Sequence, residues 1–345
     1  MTEPKRWRKS SPRLDEIAAA AGVSVATVDR VLNERDSVST ASRQKVLQAA
    51  KRLGVPRVLP RVNSKLVRID LLLPTNRTPF FMRLKESLQQ HIQMLDRSVL
   101  VQRREIDPAD EAQLVRHILR PTPTRQGLIL TAPDTPAIRQ AVDVAIARGE
   151  PVVTMMTDVA LQGAHTYVGI DNFKAGRTAG LLLRRLCATS GRVLVITPHH
   201  DYIAHAQRRL GIQSELAGSM LGCEFSDATL DDPDQCFFAV RRALARTDST
   251  QPLVGIYNTG SGAPGIAAAL QQHGLLGRLP WVGHEATAEH QPLLRAGHMD
   301  FVMDQDAPAQ AIAALQHMLA ANGLLDLPPV APQPEPRLYC AANLA

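Results

Sequence analysis

Cysteine is scarce: Cys187, Cys223, Cys236 and Cys340 are scattered through 345 residues, and no two form a C-x-x-C pair. That spacing argues against a thiolate zinc site and a disulfide framework, and suits a reducing cytosol. The sequence also lacks the run of roughly eighteen apolar residues that a membrane span needs. Its basic start, "MTEPKRWRKSSPRLDE", leads into no apolar signal-peptide core. A cytoplasmic chain is therefore expected. No G-x-S-x-G elbow and no P-loop occur, so no catalytic residue, metal or cofactor is expected. What remains is an ordinary globular composition, 45% hydrophobic and 21% charged. The length suits two or three domains.

The charge is unevenly placed. Residues 1–66 hold 14 Lys/Arg against 6 Asp/Glu, a net of +8, whereas the rest holds 25 against 27, a net of −2. A basic head on a near-neutral body is the electrostatic outline of a nucleic-acid-binding module joined to something else. In the head, Leu14, Ile17, Ala18 and Ala21 recur at helical spacing, and Gly22 supplies a stop. "SVATVDRVLN" opens with Ser24 as N-cap and repeats apolar residues at Val28, Val31 and Leu32. A third helix follows Ser39 or Thr40, with Val46, Ala49, Ala50 and Leu53 inward. Two helices joined by a tight glycine turn, with a third to prop them, form a helix-turn-helix.

The segment "AGVSVATVDRVLN" resembles the DNA-binding head of the LacI family of bacterial transcription regulators. The resemblance implies that Ser24, Thr27 and Asn33 contact the DNA backbone, helped by Ser39 and Ser42. It also implies that Val25, Ala26 and Arg30 face base edges. Short hydroxyls hold phosphate, and Arg suits a bidentate bond to guanine, so Arg30 should carry most of the direct readout. Asp29 is unusual on such a face. It could accept from a cytosine amine, hold a cation that meets phosphate, or repel non-specific DNA. The resemblance further implies a hinge helix after the head, but Pro56 and Pro60 interrupt it here. The expected organisation is a helix-turn-helix domain over 10–55, a basic proline-containing linker over 56–66, and a two-lobed effector-binding and dimerisation domain over 67–345.

From Val67 onward short apolar strands alternate with amphipathic helices, expected near Phe80–Met94, Pro108–Leu119, Thr135–Arg148, Phe173–Leu186 and Ile203–Met220. Such alternation predicts doubly wound parallel sheets, with ligands at the C-terminal strand ends. The landmarks "TPFF", "PVVT", "YVGIDNFKAGRTAG", "YNTGSGAPG", "VGHE" and "DQDAPAQA" resemble the effector domain of the same family and the periplasmic sugar-binding proteins. Thr78, Phe80, Phe81, Asp158, Arg208, Asn258, Glu285 and Gln305 are the effector contacts this implies. Carboxylate, amide and guanidinium groups can bond vicinal hydroxyls, and aromatic rings can stack on a sugar face.

The expectation is an α-helical helix-turn-helix head joined to a two-lobed, periplasmic-binding-protein-like α/β body. Its partners would be double-stranded operator DNA and a small polar effector (a sugar, sugar derivative or cyclitol). It would act as a homodimer, a tetramer being the larger alternative, and not as an enzyme. Two rivals are a solute-binding protein without regulatory role and an NAD-dependent oxidoreductase. The latter rests on "GSGAPG", Gly260–Gly265, which fits G-x-G-x-x-G with Glu285 downstream. "PHHDYIAH" clusters His199, His200 and His205 without metal-ligand spacing, and is expected to be a polar cleft loop.

Overall fold

Gly22, at φ 64°, ends the first helix of the head and turns the chain into the second. The computed structural model describes residues 13–33, 38–53, 66–246, 251–325 and 329–344. It divides into a head, Met1–Leu66, and a body, Val67–Ala345. The linker over 56–66, with the interrupted hinge helix, lies almost wholly outside the described residues. The head holds α1 (Leu14–Ala21), α2 (Val25–Leu32) and α3 (Thr40–Arg52). Ile17, Val28, Val31, Leu32, Val46 and Ala50 close its core. This small cluster suffices because every helix gives it one apolar stripe.

The body contains two sheets of closely related order. In the first lobe, β1 (Val67–Pro74), β2 (Val99–Ile106), β3 (Gly127–Leu130), β4 (Val152–Met155) and β5 (Thr166–Val168) form a parallel sheet ordered β2-β1-β3-β4-β5. Helix α4 (Pro79–Gln93) covers one face; α5 (Glu111–Leu119) and α6 (Pro136–Ala147) cover the other. In the second lobe, β6 (Gly191–Thr197), β7 (Leu221–Ala228), β8 (Leu253–Asn258), β9 (Trp281–His284), β10 (Phe301–Asp304) and β11 (Arg337–Tyr339) are ordered β11-β10-β9-β8-β6-β7. Only the terminal β11 runs antiparallel to its neighbour. Helices α7 (Asn172–Leu186) and α8 (Ile203–Leu216) cover one face of this sheet. The other is covered by α9 (Pro233–Ala245), α10 (Ala263–Gln272) and α11 (His290–Arg295).

The last helix, α12 (Ala307–Ala321), leaves the second sheet and packs back on the first lobe. There Ala307, Ala311, Ala314, Leu315 and Met318 share a core with Leu84 and Leu88. Helices α7 and α8 meet through glycine. A Cβ on Gly176 would lie 2.1 Å from the Arg208 carbonyl oxygen, and one on Gly211 2.2 Å from that of Phe173. This approach brings the helix bearing Arg208 against the one bearing Asn172.

Helix α8 stops at Leu216, short of Met220, because Gly218 at φ 72° turns the chain out. Elements β5, β7, α9 and β11 add to the expected set.

Candidate functional site

Helix α2 divides cleanly into two faces. Val28, Val31 and Leu32 are buried, whereas Ser24, Val25, Ala26, Arg30 and Asn33 are exposed and Thr27 and Asp29 half-buried. Ser24 caps the helix: its Oγ accepts from the Thr27 N–H at 3.2 Å and lies 2.8 Å from Thr27 Oγ1. Val25 is 46% exposed, unusual for a β-branched apolar residue, so the face offers apolar contact beside its hydroxyls. Ser39 does the same before α3, its Oγ accepting from the Ser42 N–H at 3.2 Å and donating to Ser42 Oγ at 2.9 Å. Asp29 accepts from the Asn33 amide at 2.7 Å. All nine residues expected at DNA thus lie on α2, at its two ends, or at the start of α3.

In the body, the C-terminal strand ends of both sheets face one cavity of about 100 Å³, room for several waters. The first lobe contributes Asn76, Thr78, Phe80 and Phe81 after β1, Thr131 after β3, and Met156 and Thr157 after β4. Phe80 and Phe81 sit in the first turn of α4, where Pro79 starts the helix, with their rings edge to face at 5.9 Å. The second lobe contributes His199, Tyr202, His205, Arg208, Asp231, Thr259, Ser261, His284, Glu285, His290 and Gln305. Among the described residues, the non-glycine positions with positive φ are Met156, Leu230, Asp231, Glu285 and Asp306. Each lies just beyond a strand end, and three line the cavity. Such backbone costs of order 1–3 kcal/mol per residue and collects where side chains must be aimed.

A buried polar chain runs through the second lobe. Arg208 donates from Nε to Asn172 Oδ1 at 2.8 Å, from Nη1 to the Thr259 carbonyl at 2.6 Å, and from Nη2 to Gln305 Oε1 at 2.8 Å. Gln305 passes the chain on, its Nε2 donating to Glu285 Oε1 at 2.6 Å. Glu285 Oε2 is buried without a hydrogen-bond partner, and Arg83 of the first lobe stands 3.7 Å away. Burial, reinforced by the nearby Asp304 charge, pushes the Glu285 carboxyl up to about 8. Arg83 itself clasps Asp304 across the cleft, at 2.8 and 3.3 Å. Burial disfavours the charged imidazolium and so drives His205 and His284 down, and His290 down to about 4.

Residues 13–55 match the model of bacterial regulatory proteins of the lacI family, and residues 69–323 that of the periplasmic binding protein domain. The chain belongs to the LacI family. It is 29% identical over 172 residues to the HTH-type transcriptional regulator GntR of Pseudomonas aeruginosa, covering 49% of this chain and 48% of that one. It is 24% identical over 192 residues to catabolite control protein A of Streptococcus mutans, covering 55% and 52%. The chain therefore spans about half the length of these curated relatives. In fold, its body resembles the Caulobacter myo-inositol binding protein bound to myo-inositol (TM-score 0.71, 22% identity, 84% of this chain and 97% of that one). It also resembles GanP, a glucose-galactose binding protein from Geobacillus stearothermophilus (TM-score 0.70, 17% identity, 81% and 99%).

Of the effector contacts expected in this LacI-family chain, Thr78, Phe80, Phe81, Arg208, Glu285 and Gln305 line the cavity. Two do not. Asp158 turns away, accepting from Thr154 Oγ1 at 2.7 Å and the Val159 N–H at 2.8 Å, with His165 Nε2 at 2.8 Å. It closes a loop because its neighbour Met156, at φ 68°, takes the place at the strand end. Asn258 is fully buried, and its amide donates to the Gly260 and Ser261 carbonyls at 2.9 and 3.0 Å, shaping the loop from behind.

The glycine run follows β8 for reasons of packing. A Cβ on Gly265 would lie 1.7 Å from the Pro233 carbonyl oxygen, and Gly262 adopts φ 89°. The Ser261 N–H, which a phosphate would need, is already accepted by Asp231 at 2.7 Å. Sequence reasoning missed Asp231, His284 and His290. Asp231 could have been found from its place after β7, but β7 was not recognised; His284 ends β9 and His290 begins α11, and single histidines there resemble core residues. His199, His205 and Tyr202 do reach the cavity, whereas His200 is exposed.

Proposed function

We propose that this LacI-family chain is a sequence-specific DNA-binding transcription regulator, a repressor whose operator affinity is set by a small polar effector held between the two lobes. The observation that carries the proposal is the pairing of two features in one chain. The head exposes hydroxyls, Val25 and Arg30 on one helix, and the body aims a buried chain of polar groups into the cavity between its lobes. Two heads of a homodimer would enter successive major grooves of a near-palindromic operator. The effector acts by favouring one arrangement of the lobes: Arg83 and Asn76 already reach from the first lobe to Glu285, Asp304 and Asp231 of the second, so cleft contents and lobe closure are linked. The cleft groups serve binding: the imidazoles and the Arg208 chain are placed to hold the hydroxyls of a ligand. The chain's place is the bacterial cytoplasm.

The test has two steps. Operator sequences are selected from random duplex DNA with the full chain, and their Kd is then measured with and without a ligand that raises the Tm of the protein. Selection of a two-fold-related site, with a Kd that ligand changes at least about fivefold, is the expected outcome for coupled sites. A ligand that binds and leaves the operator Kd unchanged removes the regulatory role. Sedimentation at the working concentration reports the dimer.

A further inference from the structure

Three arginines are buried in the described part of the body, and one differs from the others. Arg125 pairs with Asp70 and Glu150, and Arg192 with Glu224. Arg208 is 3% exposed, and among the described residues no carboxylate stands within ion-pair distance of it. Its acceptors are two side-chain amides and a carbonyl, all neutral. Of the five N–H groups of a guanidinium, three are used, and one on each terminal nitrogen has no acceptor among the described residues. Neutral dipoles offset only part of the cost of burying a cation, which is why buried charges are normally paired.

The acids that share the cavity do not supply the missing charge. Gln305 stands between Arg208 and Glu285, bonded to both. Asp231 is taken up by the Ser261 N–H and the Asn76 amide. Burial raises the pKa of both acids, which lessens the repulsion they offer an anion. The imidazoles add donors. The Tyr257 hydroxyl lies 2.8 Å from His284 Nε2, and assigning its hydrogen to that bond leaves His284 an N–H at Nδ1, which has no partner. His284 is near enough for the Arg208 charge to help press its pKa down. His290 Nε2 is likewise buried without a partner.

We infer that the ligand of this cleft is an acid: a small polyhydroxylated molecule whose single carboxylate meets Arg208, with the His284 N–H turned to the same end. Its hydroxyls fall to Glu285, Gln305 and His290, and its apolar face to Phe80 and Phe81. A neutral sugar would leave Arg208 without a counter-charge, and a dianionic phosphate would exceed it. The inference rests on the proposal that this cleft is the effector site.

The experiment compares five- and six-carbon aldonates and uronates with the matching aldoses, cyclitols and aldose phosphates, by thermal shift and then calorimetry on the full chain. At least one acid should bind about tenfold or more tightly than its neutral counterpart, as a charge-assisted bond implies. Arg208→Gln should bring that ratio close to one. A neutral sugar or cyclitol binding as tightly as its acid overturns the inference while leaving the cleft an effector site; so does a phosphate that outbinds the carboxylate. Silence from every class overturns the effector-site proposal with it. Should Arg208→Gln not fold, the acid-to-neutral ratio of the unaltered protein decides alone.

Discussion

The side-chain amide of Asn33 donates to the Asp29 carboxylate at 2.7 Å, across one turn of the helix expected to read DNA. A carboxylate on that face is thus joined to a residue expected at the phosphate backbone, and it orients Asn33 as well as placing negative charge there. Asp29→Ser removes both effects, while the loss to the helix itself is about 0.2–0.5 kcal/mol. Binding to random duplex DNA should tighten, and its salt dependence should steepen as repulsion is relieved. Fluorescence anisotropy at several salt concentrations measures both. Weaker binding to random DNA would refute the role of Asp29 as a filter.

Arg30 is exposed in the last turn of the same helix, where its guanidinium can extend toward a base edge. Arg30→Ala should cut discrimination between operator and random DNA by about 1–3 kcal/mol for each guanine that Arg30 reads. Binding to random DNA should change far less. A competition titration at fixed salt separates the two, and unchanged discrimination rules out base reading by Arg30.

Glu285 should make the body's stability depend on pH. Its carboxyl is raised to about 8 by burial and the Asp304 charge, against the partial relief given by Gln305, Arg83 and Arg208. Between the ordinary carboxyl pKa and that raised value the unfolded chain has released its proton while the folded chain holds it. Stability therefore falls as pH rises across this window. Glu285→Gln keeps the shape and removes the titration, so its Tm should decline less than that of the unaltered protein from pH 5 to about 8. Parallel Tm profiles for the two proteins would show that the carboxyl titrates elsewhere.

Asp158 distinguishes a loop role from a ligand role. Its carboxylate is held by Thr154, Val159 and His165 and does not line the cavity. Asp158→Ala should lower stability by about 1–3 kcal/mol through the polar groups it abandons. Affinity for any cleft ligand should stay the same at a temperature where the protein is folded. A large loss of affinity with intact folding would return Asp158 to the binding set.

Gly211→Ala tests the close approach of α7 and α8. The added methyl would lie 2.2 Å from the Phe173 carbonyl oxygen, which is backbone and cannot swing aside. The helices must separate, at a cost of about 1–3 kcal/mol. Because Arg208 and Asn172 sit on opposite sides of that approach, ligand affinity should fall together with Tm. A methyl tolerated in both measurements would mean the helices are not locked.

Most of this architecture was legible because its signals are local. Gly22, the Ser24 cap and the stripe of Val28, Val31 and Leu32 define the second helix without help from distant residues. Arg208, Glu285 and Gln305 came from the resemblance to the effector domain, and all three line the cavity: Glu285 and Gln305 directly follow β9 and β10, whereas Arg208 reaches it from within α8. The edge strand β7 was not legible: six of its eight residues are exposed or half-exposed, so "LGCEFSDA" shows neither a buried run nor clean alternation. With it went the turn that places Asp231. Asp158 falls outside the cavity, and the left-handed turn at Met156 just before it is a step no pattern announces. Nor does periodicity tell that α12, following a strand of the second sheet, belongs with the first lobe.

That last helix has a consequence for how the body can be divided. Ala307, Ala311, Ala314, Leu315 and Met318 complete the core beneath β1 and α4, yet the chain returns afterward to add β11 at the far edge of the other sheet. No single cut yields two self-sufficient halves, since a fragment ending before Ala307 strips the first lobe of a wall and the second of its border. The lobes are distinct to a ligand but not to the unfolding chain, which should lose them in one cooperative event.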